Sequence, residues 1–587
     1  MKLSSAWPRL LSVALAASVH HDIVTARPVR ETVFSPDTRG SLGAVASEAA
    51  ECSAIGRDLI ANGGNAADAL VGTTFCVGVI GMYHSGIGGG GFAMVRDAHG
   101  GYEAVDFRET APAAAHQDMY RDNVNGSIVG GLAVGVPSEV RGLEYIHKKY
   151  GVLPWKMVMQ GAIHIARDGF KVTTDTVRYM EKGLATGSFN FLKEDPSFAQ
   201  DFAPNGTLLS VGDIMTRKRY ADTLEKIAEQ GGDAFYTGKM AEAMVKYIQQ
   251  TNGTMTLADL SSYKVLSRPV KSVRYRGVDL HTIGAPASGA VCLNILKTME
   301  QFDVSPADVD NDAANGVVGN LTAHRFAEAM RFAYGARVEL GDPDYVDGVR
   351  AFEDRMLSDA NARRIRASIS DDHTQPVDAY DPDGTGSYAP PGHGTSHVVT
   401  ADASGMATSL TTTINLLFGA QIMDPASGVI LNNEMNDFSI PGVRNEFGFE
   451  PSEANYIRPG KRPLSSVTPV IASDPSRGGA LVATVGAAGG SRIITATTAA
   501  LWHVLEHAMS MRDALAAPRM HDQLMPNTLL LEHDFDNGTA ASLAARGHDI
   551  TRVAPGLSAV QGIMVLDDGA FEAASEPRQR NSAGFSI

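Results

Sequence analysis

Cysteine is scarce in this sequence, which has three cysteines among its 587 residues. Three cysteines allow one disulfide bond and one leftover thiol, and they make a poor zinc site. Cys52 and Cys76 flank a helix-like stretch and are able to pair, whereas Cys292 lies in an apolar run and is predicted to be a buried thiol. A metal site built on thiolates is therefore not expected.

The sequence also has fewer basic than acidic residues, and it lacks long apolar runs. The chain has 50 lysine and arginine residues against 66 aspartate and glutamate residues, a formal net charge of −16, and no run of basic residues. A chain this acidic has no overall attraction to nucleic acid, and no nucleic-acid partner is expected. No stretch approaches the roughly 20 apolar residues that cross a bilayer. The 44% apolar content is nevertheless that of an ordinary globular protein.

The N-terminus has the pattern of an export signal. Lys2 and Arg9 precede a short apolar stretch at 10–19, and Ala16 or Ala26 ends a small-residue cleavage site. We therefore predict a signal peptide within residues 1–26 and a secreted protein, with an N-terminal membrane anchor as the alternative. Asn-x-Ser/Thr sequons agree with a secretory route; they begin at Asn125, Asn205, Asn252, Asn320 and Asn537.

The first part of the chain is rich in helical patterns and the later part is led by strands. Helices are predicted at 48–60, within 212–250, at 324–334 and at about 492–508. A further helix is predicted to begin at a cap on Asn65 or Asp68 and to continue through Val71. Strands are predicted at 395–401, 406–413, 427–432, 468–472, 480–486 and 561–566. The segment 370–394 between the two parts is rich in proline, glycine and aspartate and is predicted to be mobile.

A glycine-rich run at 86–91 (GIGGGG) satisfies the dinucleotide-binding pattern G-x-G-x-x-G. That pattern binds a pyrophosphate only where a helix follows it, because the helix N-terminus meets the phosphates. Here the run is followed by FAMV and then DAHGG, which indicate a strand and a turn. We therefore expect close backbone packing and no nucleotide cofactor.

A second short motif, 503–507 (HVLEH), satisfies the inverted zinc pattern H-x-x-E-H. A helix would put both histidines on one face, but zinc needs a third ligand that the sequence does not supply by position. The favoured interpretation is a helix with two partly exposed histidines. No metal and no other cofactor are expected.

The pair Gly394-Thr395 joins the polar segment to the first strand of the later part. If the chain is cut there, the Thr395 hydroxyl lies beside a free α-amine, whose pKa of about 7.7–8.0 lets it accept a proton at neutral pH. One residue then supplies both nucleophile and base. The cut itself can follow attack of the Thr395 hydroxyl on the open Gly394 carbonyl, which forms an ester that water hydrolyses. Gly-Thr pairs are common, so this pair alone identifies nothing.

A series of segments in a fixed order is far more specific. In the first part they are 52–58 (CSAIGRD), 63–69 (GGNAADA), 84–90 (HSGIGGG), 106–112 (DFRETAP) and 135–137 (GVP). In the later part they are 394–397 (GTSH), 432–438 (NNEMNDF), 461–466 (KRPLSS) and 486–491 (GAAGGS). Taken together, these segments closely resemble the γ-glutamyltransferase (γ-glutamyltranspeptidase) family of N-terminal-nucleophile hydrolases over residues 45–587.

The resemblance implies an α+β fold of four layers, αββα, with two stacked antiparallel sheets between helices. It also implies self-cleavage into a large subunit, 27–394, and a small subunit, 395–587, which share one intertwined core and stay together as a heterodimer. The substrates would be glutathione and other γ-glutamyl compounds. The γ-glutamyl group would pass through an ester on Thr395 to an amino acid, a dipeptide or water.

The resemblance also assigns roles to individual residues. Thr413 would orient Thr395, and the backbone N–H groups of Gly489 and Gly490 would bind the oxyanion. The α-carboxylate of the substrate would be held by a guanidinium and two hydroxyls, those of Arg108, Ser465 and Ser466. The α-ammonium would be held by Asn415, Glu434 and Asp437. Without the family, Arg108 and Glu109 would form a surface ion pair, and Glu434 and Asp437 would lie in a solvated turn.

Some positions differ from the family pattern or distinguish one group of members from another. Glu434 replaces the glutamine of some members, Val399 stands where many have serine, and Phe447 replaces a tyrosine of bacterial members. His397 keeps the family's spacing from Thr395 but is interpreted as structural. The resemblance to eukaryotic members implies a Cys52–Cys76 disulfide. Arg519 and Arg578 are predicted to hold the subunits together.

Two other functions stay open. One is an acylase of the same fold that cleaves a non-glutamyl amide, which would not need Arg108 together with Glu434 and Asp437. The other is an uncleaved, inactive relative that binds an amino acid or a protein partner. An intact Gly394–Thr395 bond in the secreted protein would support that second alternative.

Overall fold

The structure is a computed structural model that describes residues 40–185, 189–303, 319–381, 394–443 and 451–587. The predicted signal peptide, Phe447 and residues 382–393 of the polar segment lie outside these residues. None of the described helices has the length and apolar character needed to cross a membrane.

The helices in chain order are α1 (Ala50–Ala61), α2 (Ala66–Ile80), α3 (Glu139–Tyr150), α4 (Trp155–Asp168), α5 (Thr174–Leu184), α6 (Phe191–Glu194), α7 (Pro196–Phe202), α8 (Lys218–Gln230), α9 (Asp233–Tyr236), α10 (Gly238–Gln250), α11 (Leu257–Ser262), α12 (Gly289–Met299), α13 (Asn320–Arg337), α14 (Val349–Met356), α15 (Asp359–Ser368), α16 (Arg492–His507), α17 (Met511–Ala516) and α18 (Asn537–Ala545).

The strands are β1 (Gly43–Ser47), β2 (Gly90–Arg96), β3 (Tyr102–Phe107), β4 (Phe170–Lys171), β5 (Ile214–Met215), β6 (Leu266–Arg268), β7 (Val270–Tyr275), β8 (Val278–Ile283), β9 (Gly394–Asp402), β10 (Ala407–Asn415), β11 (Val470–Asp474), β12 (Ala480–Ala488), β13 (Met520–His521), β14 (Leu529–Glu532), β15 (Ile550–Val553), β16 (Ala559–Val565), β17 (Phe571–Ala574) and β18 (Ala583–Ser586).

Two large antiparallel sheets form the centre of the molecule. One has the strand order β18-β1-β9-β10-β2-β3-β6, and the other has the order β17-β16-β12-β11-β8-β7. The sheets pack face to face through β9, β10, β12 and β16. Helices α1 and α2 cover the outer face of the first sheet, and α12 and α16 cover that of the second. The predicted αββα architecture is therefore confirmed.

The hairpin β9–β10 occupies the middle of the first sheet. Both strands are buried along their whole length, because one face meets the second sheet and the other meets α2. The turn between them contains Gly405 at φ +83°, a conformation that favours glycine. The two strands and their turn agree with the sequence prediction to within two residues.

Helix α2 is longer than predicted and is buried on every side. It begins with a capping box in which the Asn65 side chain accepts from the N–H of Asp68, and the Asp68 carboxylate accepts from the N–H of Asn65. The sequence prediction ended this helix at Val71 although it continues to Ile80. The Cys52–Cys76 disulfide joins α1 to α2, and Cys292 is a buried free thiol, as expected.

The glycine run at 86–91 leads into β2 rather than into a helix. A side chain added at Gly88, Gly89 or Gly91 would overlap the carbonyl oxygens of Ile430, Thr413 or Thr411, respectively. These glycines therefore allow close backbone approach, as predicted, and the run is not a nucleotide-binding loop.

Two other local predictions need correction. No strand forms at 427–432, where a single bridge joins Met423 to Ile430. The polar segment is ordered in its first part, because Tyr380 is buried and its hydroxyl donates to the Glu328 carboxylate at 2.6 Å. An aromatic anchor of this kind cannot be seen in composition alone.

Two large apolar cores hold the layers together. The first contains Phe75 and Phe202 from before Gly394 and Leu410 and Phe418 from after it. The second likewise combines helices α12 and α13 with β12 and α16. Residues on both sides of Gly394 therefore contribute to each core.

The cap at Asn65 gives a stability prediction. The variant Asn65→Ala loses the cap and a hydrogen bond from Asn65 Nδ2 to the Tyr150 carbonyl, 2.6 Å long. We expect the free energy of unfolding to fall by about 1–2 kcal/mol, measured by equilibrium urea denaturation. The control is Asn62→Ala, which removes an exposed hydrogen bond three residues earlier and should change stability by less than about 0.5 kcal/mol. Equal effects of the two variants would contradict the capping role.

Candidate active site

Thr395 is the second residue of β9 and lies directly opposite Thr413 of β10. It is buried, with 7% of its surface exposed. The Thr413 hydroxyl donates to the carbonyl oxygen of Gly394 at 2.5 Å and accepts from the Asn415 N–H at 2.8 Å. In the uncut chain Thr413 therefore contacts the carbonyl of the expected cleavage bond, whereas the sequence prediction had it orient the Thr395 side chain.

An irregularity at the end of β10 shapes this region. The register shifts between Thr413 and Asn415, so Asn415 lies opposite Gly394 with φ +70°. A side chain at Gly394 would overlap the backbone oxygen of Asn415, which explains why glycine stands there. The Asn415 side chain donates to the Asn433 carbonyl at 3.0 Å. This contact brings the segment that contains Glu434 to the end of the hairpin.

Arg108 directly follows β3 at the same end of the sheet. Thr413 pairs with Gly90 of β2, and the adjacent Gly91 pairs with Phe107 of β3. Arg108 is thus three strands from Thr395, which at about 4.8 Å per strand puts their backbones roughly 14 Å apart. A small substrate can bridge this gap between the two side chains.

The Arg108 guanidinium is completely buried among carboxylates. Its two terminal nitrogens contact the carboxylates of Glu434 and Asp437, and Glu109 lies 3.8 Å away. The expected ligands of the α-carboxylate and of the α-ammonium are therefore in direct contact with one another. The surface ion pair considered as the alternative for Arg108 and Glu109 is wrong, since both side chains are at most 1% exposed.

Burial sets the proton affinities in this charge cluster. It raises the pKa of Glu109 to about 8, although the positive charge of Arg108 opposes the shift. Burial also raises the pKa of Glu434 well above its ordinary value, again against the attraction of Arg108. The raised pKa values mean that these carboxyls tend to take up protons where carboxylates outnumber guanidiniums, and an ammonium bound in the same place would favour their ionised forms instead.

The two serines lie beside the charge cluster. Arg108 Nε donates to the Pro463 carbonyl at 3.4 Å, two residues before Ser465. The Ser465 hydroxyl accepts from the Val467 N–H at 3.2 Å, and the Ser466 hydroxyl accepts from the buried Arg337 at 3.1 Å. Both hydroxyls therefore keep their own hydrogens free to donate.

Gly489 and Gly490 form the turn between β12 and α16. Both have positive φ, +130° and +61°, which favours glycine. Among the described residues, neither N–H group has a hydrogen-bond acceptor. Gly489 and Thr395 line the same pocket. The turn thus offers backbone donors next to the candidate nucleophile.

The same pocket contains residues that the sequence did not single out. Its walls include His84, Tyr179, Lys182, Ser558 and Gln579. His84 Nδ1 contacts the buried Glu48 carboxylate at 2.8 Å. His84 belongs to the family-like segment 84–90, which was a signal, but Glu48 lies in no segment that indicated a role.

His397 and Val399 follow Thr395 on the same face of β9. His397 is buried between the Thr411 hydroxyl at 2.8 Å and the Ser409 hydroxyl at 3.2 Å. Burial lowers the pKa of His397 to about 3, so the ring is neutral, in keeping with a structural role. Val399 packs in the apolar core between the two sheets.

The described side-chain contacts of Arg519 and Arg578 do not join the two predicted subunits. Arg519 pairs with Glu576 at 2.6 Å, and Arg578 pairs with Glu532 at 2.5 Å. All of these residues lie after Gly394. The described contact that reaches the earlier part of the chain is made by the Arg578 backbone carbonyl, which accepts from Arg178 at 3.5 Å.

The H-x-x-E-H motif is not a metal site in the structure. Glu506 accepts from the Tyr275 hydroxyl at 2.6 Å and from Arg276 at 3.1 Å, which holds it by β7. His503 is buried rather than partly exposed, because α16 packs tightly on the second sheet. The expectation that both histidines are partly exposed is wrong for His503.

A different cluster has the composition of a metal site. One atom each of His324, Glu328 and His548 lies within 4.8 Å of the others. His324 Nδ1 is 2.8 Å from His548 Nε2, and Glu328 accepts from Thr374 at 2.7 Å and from Tyr380. Each residue thus has a hydrogen-bond partner, although the buried His548 Nδ1 has none among the described residues.

Comparison with known proteins agrees with the resemblance found in the sequence. The family model described as gamma-glutamyltranspeptidase matches residues 52–586. A glutathione hydrolase proenzyme of Arthroderma benhamiae is 49% identical over 606 residues, covering 100% of this chain and 97% of the relative. A glutathione hydrolase of Aspergillus flavus is 45% identical over 554 residues, covering 94% of this chain and 90% of the relative.

Solved structures have the same fold. The cephalosporin acylase of Bacillus halodurans matches with a TM-score of 0.79 at 22% identity, covering 95% of this chain and 99% of that chain. The gamma-glutamyltranspeptidase of Helicobacter pylori matches with a TM-score of 0.51 at 33% identity, covering 56% of this chain and 92% of that chain. The chain described here therefore belongs to the gamma-glutamyltranspeptidase family and has the N-terminal-nucleophile hydrolase fold.

Proposed function

We propose that this chain is a self-processing γ-glutamyltransferase and glutathione hydrolase. It would transfer the γ-glutamyl group of glutathione or a related compound to Thr395 and then to an amino acid, a dipeptide or water. The observation that carries the proposal is the buried cluster of Arg108 with Glu434 and Asp437. It lies at the same sheet end as Thr395 and offers charges of both signs, as the α-amino-acid end of a γ-glutamyl group requires.

Substrate binding would divide the charge cluster. The α-carboxylate takes two N–H groups of Arg108, with hydroxyl donors from Ser465 and Ser466. The α-ammonium takes the Glu434 and Asp437 carboxylates, which the carboxylate of the substrate has released from Arg108. Binding as a zwitterion therefore keeps every buried charge paired, whereas a neutral ligand that displaced these contacts would leave charges unpaired.

Self-cleavage would come before catalysis. The Thr395 hydroxyl attacks the Gly394 carbonyl, whose oxygen already accepts a hydrogen bond from Thr413. The peptide bond breaks, the chain ends at Gly394 in an ester with Thr395, and water hydrolyses this ester. The freed α-amine of Thr395 then acts as the base that activates the Thr395 hydroxyl toward substrate.

The turn at Gly489 and Gly490 would stabilise the charge that develops during attack. Its N–H groups have no competing acceptor among the described residues and flank the Thr395 pocket. Donors fixed in advance and partly shielded from water stabilise an oxyanion without reorganisation. Each tetrahedral intermediate of the transfer cycle would use them.

The two cleavage products would remain a heterodimer because each apolar core contains residues from both. Export remains part of the proposal, with an N-terminal anchor as the alternative. It is supported by the sequon asparagines, all of which are exposed and accessible to glycosylation. They are Asn125, Asn205, Asn252, Asn320 and Asn537.

A non-glutamyl acylase is the second candidate, since the cephalosporin acylase fold is so similar. That likeness concerns the fold alone. An acylase for an apolar side chain has no use for a buried guanidinium between two carboxylates, and each of these groups is costly to bury without a charged partner. The charge cluster therefore favours the γ-glutamyl substrate.

Self-cleavage is tested by the intact mass of the purified protein in denaturant, after deglycosylation. We expect two chains, one of which begins at Thr395. The variant Thr395→Ala lacks the attacking hydroxyl and should remain a single chain. A wild-type chain that stays intact for days at neutral pH would support the inactive relative instead.

The hydrogen bond from Thr413 to the Gly394 carbonyl predicts a rate effect. Because one donor to a developing oxyanion is worth on the order of 100-fold in rate, Thr413→Ala should slow self-cleavage by about that factor. Thr413→Ser keeps the hydroxyl and should cleave at nearly the wild-type rate. Rates come from gel analysis of freshly translated chain, and equal rates for the two variants would refute this role.

Arg108→Ala tests the substrate class. The variant removes the partner of the α-carboxylate, a charge-assisted contact worth about 2 kcal/mol, so KM for a γ-glutamyl anilide should rise at least roughly 30-fold. The control is Arg121→Ala, which removes an exposed ion pair with Asp118 and should leave KM unchanged. An unchanged KM in Arg108→Ala, with retained activity, would favour the acylase.

A further inference from the structure

Self-cleavage needs a base that the mature enzyme does not need. Before the cut, the α-nitrogen of Thr395 is part of a peptide bond and cannot accept a proton. A neutral threonine hydroxyl is a weak nucleophile unless a base takes its proton as it attacks. The proposed function, on which this inference rests, therefore requires another group near Thr395 in the uncut chain.

The imidazole of His84 has the properties of such a base. It is 2% exposed and lines the pocket that contains Thr395. Its Nδ1 is 2.8 Å from the Glu48 carboxylate, to which it donates, so Nε2 carries the free lone pair. Nε2 is buried and has no hydrogen-bond partner among the described residues. An unpaired buried acceptor of this kind is unusual.

Backbone contacts hold His84 against the hairpin of the nucleophile. The His84 carbonyl accepts from the Ile414 N–H of β10 at 3.1 Å. The next residue, Ser85, donates from its hydroxyl to the Ser396 hydroxyl at 3.0 Å. Ser396 directly follows Thr395, so the His84 backbone is fixed to both strands within one or two residues of the attacking group, although the Ser396 side chain points to the opposite face of β9 from Thr395.

Glu48 connects the same parts a second time. Its carboxylate accepts from His84, from the Ser396 hydroxyl and from Gln579 Nε2 at 3.2 Å. The rings of Tyr83 and Tyr179 pack edge-on against the imidazole at centroid distances of 4.6 and 4.2 Å. The imidazole is therefore fixed in orientation and tautomer, as a base next to a hydroxyl nucleophile requires.

We propose that His84, oriented by Glu48, is the general base of self-cleavage. His84 Nε2 and the Thr395 hydroxyl line one pocket but are not in hydrogen-bond contact in the structure, so a side-chain rotation must bring them together. His84 Nε2 then takes the Thr395 hydroxyl proton while the Thr395 oxygen bonds to the Gly394 carbon. The imidazolium then returns the proton to the Thr395 nitrogen as the Gly394–Thr395 C–N bond breaks. Water hydrolyses the resulting ester, which restores the hydroxyl and releases the Gly394 carboxylate. The products contain the atoms of the chain and one water.

The other titratable groups at or near the pocket are less suited to this role. Lys182 also lines it, but the Lys182 side chain is exposed to solvent and Arg178 lies on the same helix. Partial burial and the positive charge of Arg178 lower the pKa of Lys182, but no described hydrogen bond orients its ammonium, which lies 5.8 Å from the centroid of the Tyr179 ring. Tyr83 and Tyr179 have pKa values raised by burial, so their hydroxyls keep their protons.

The test follows the cleavage of full-length chain made by cell-free translation with a short radioactive pulse. His84→Gln can still hydrogen-bond to Glu48 but cannot accept a proton, and we expect it to cleave about 100-fold more slowly than wild type. His84→Ala should be equally slow, and added imidazole should accelerate it by entering the space of the deleted ring. Lys182→Met is the matched control and should cleave at the wild-type rate.

Cleaved enzyme provides the second readout. His84→Gln chain that has been left to cleave completely should hydrolyse a γ-glutamyl anilide within about 10-fold of wild type per N-terminal threonine, because the α-amine has become the base. A folding defect would lower this activity as well as the cleavage rate, and it would not respond to imidazole.

The outcomes separate the inference from the proposed function. A wild-type chain that does not cleave would refute self-processing itself. If the wild type cleaves, the role of His84 is overturned by a His84→Gln chain that cleaves at the wild-type rate. It is also overturned by a His84→Ala chain that imidazole does not accelerate, or by a slow Lys182→Met chain alongside a fast His84→Gln chain.

Discussion

The pairing of β9 with β10 is the constraint on which the candidate active site depends. It places Thr395 opposite Thr413, and the register shift at Asn415 then turns the chain so that Asn433 and the residues after it reach the same sheet end. The two strands are buried on both faces, so a slip of one residue would move every side chain to the wrong layer. The candidate nucleophile is therefore positioned by the most buried part of the fold, while the groups that would contact substrate lie on the turns beyond it.

The charge cluster at the other side of that sheet end is explained by substrate recognition rather than by a gain in folding stability. A guanidinium and three carboxylates in a dry space cost free energy to bury, and their mutual contacts do little more than offset that cost. Such an arrangement contributes little to stability and much to discrimination, because a ligand that separates these groups leaves all of them paired only if it carries both charges. The Asn455 side chain donates to the Asp437 carbonyl at 2.7 Å, and Arg337 donates to the Ser466 hydroxyl. These two contacts limit the rearrangement that binding requires.

Much of this could be predicted from the sequence, and the exceptions have physical causes. The β9–β10 hairpin has runs of β-branched residues around a Gly-containing turn, and Arg108, Glu434 and Gly489 lie in segments whose order identified the family. The extension of α2 to Ile80 was missed because a helix buried on all sides has no amphipathic period. The strand expected at 427–432 fails because its apolar residues pack into a core without a partner strand. Glu48 was missed because a lone glutamate has no local pattern, and it acquires a role through contacts with residues 36, 348 and 531 positions away.

The mixing of both cores across Gly394 has a consequence for how long the folded enzyme lasts. A cut before Thr395 leaves every packed side chain where it is but divides one polymer into two. Folding of the uncut chain is a unimolecular event, whereas reassembly of two separated pieces is a bimolecular one that slows with dilution. The cut molecule would thus keep the fold that it reached as a single uncut chain. At low protein concentration its lifetime would be governed by the rate of opening rather than by an equilibrium between folded and unfolded states.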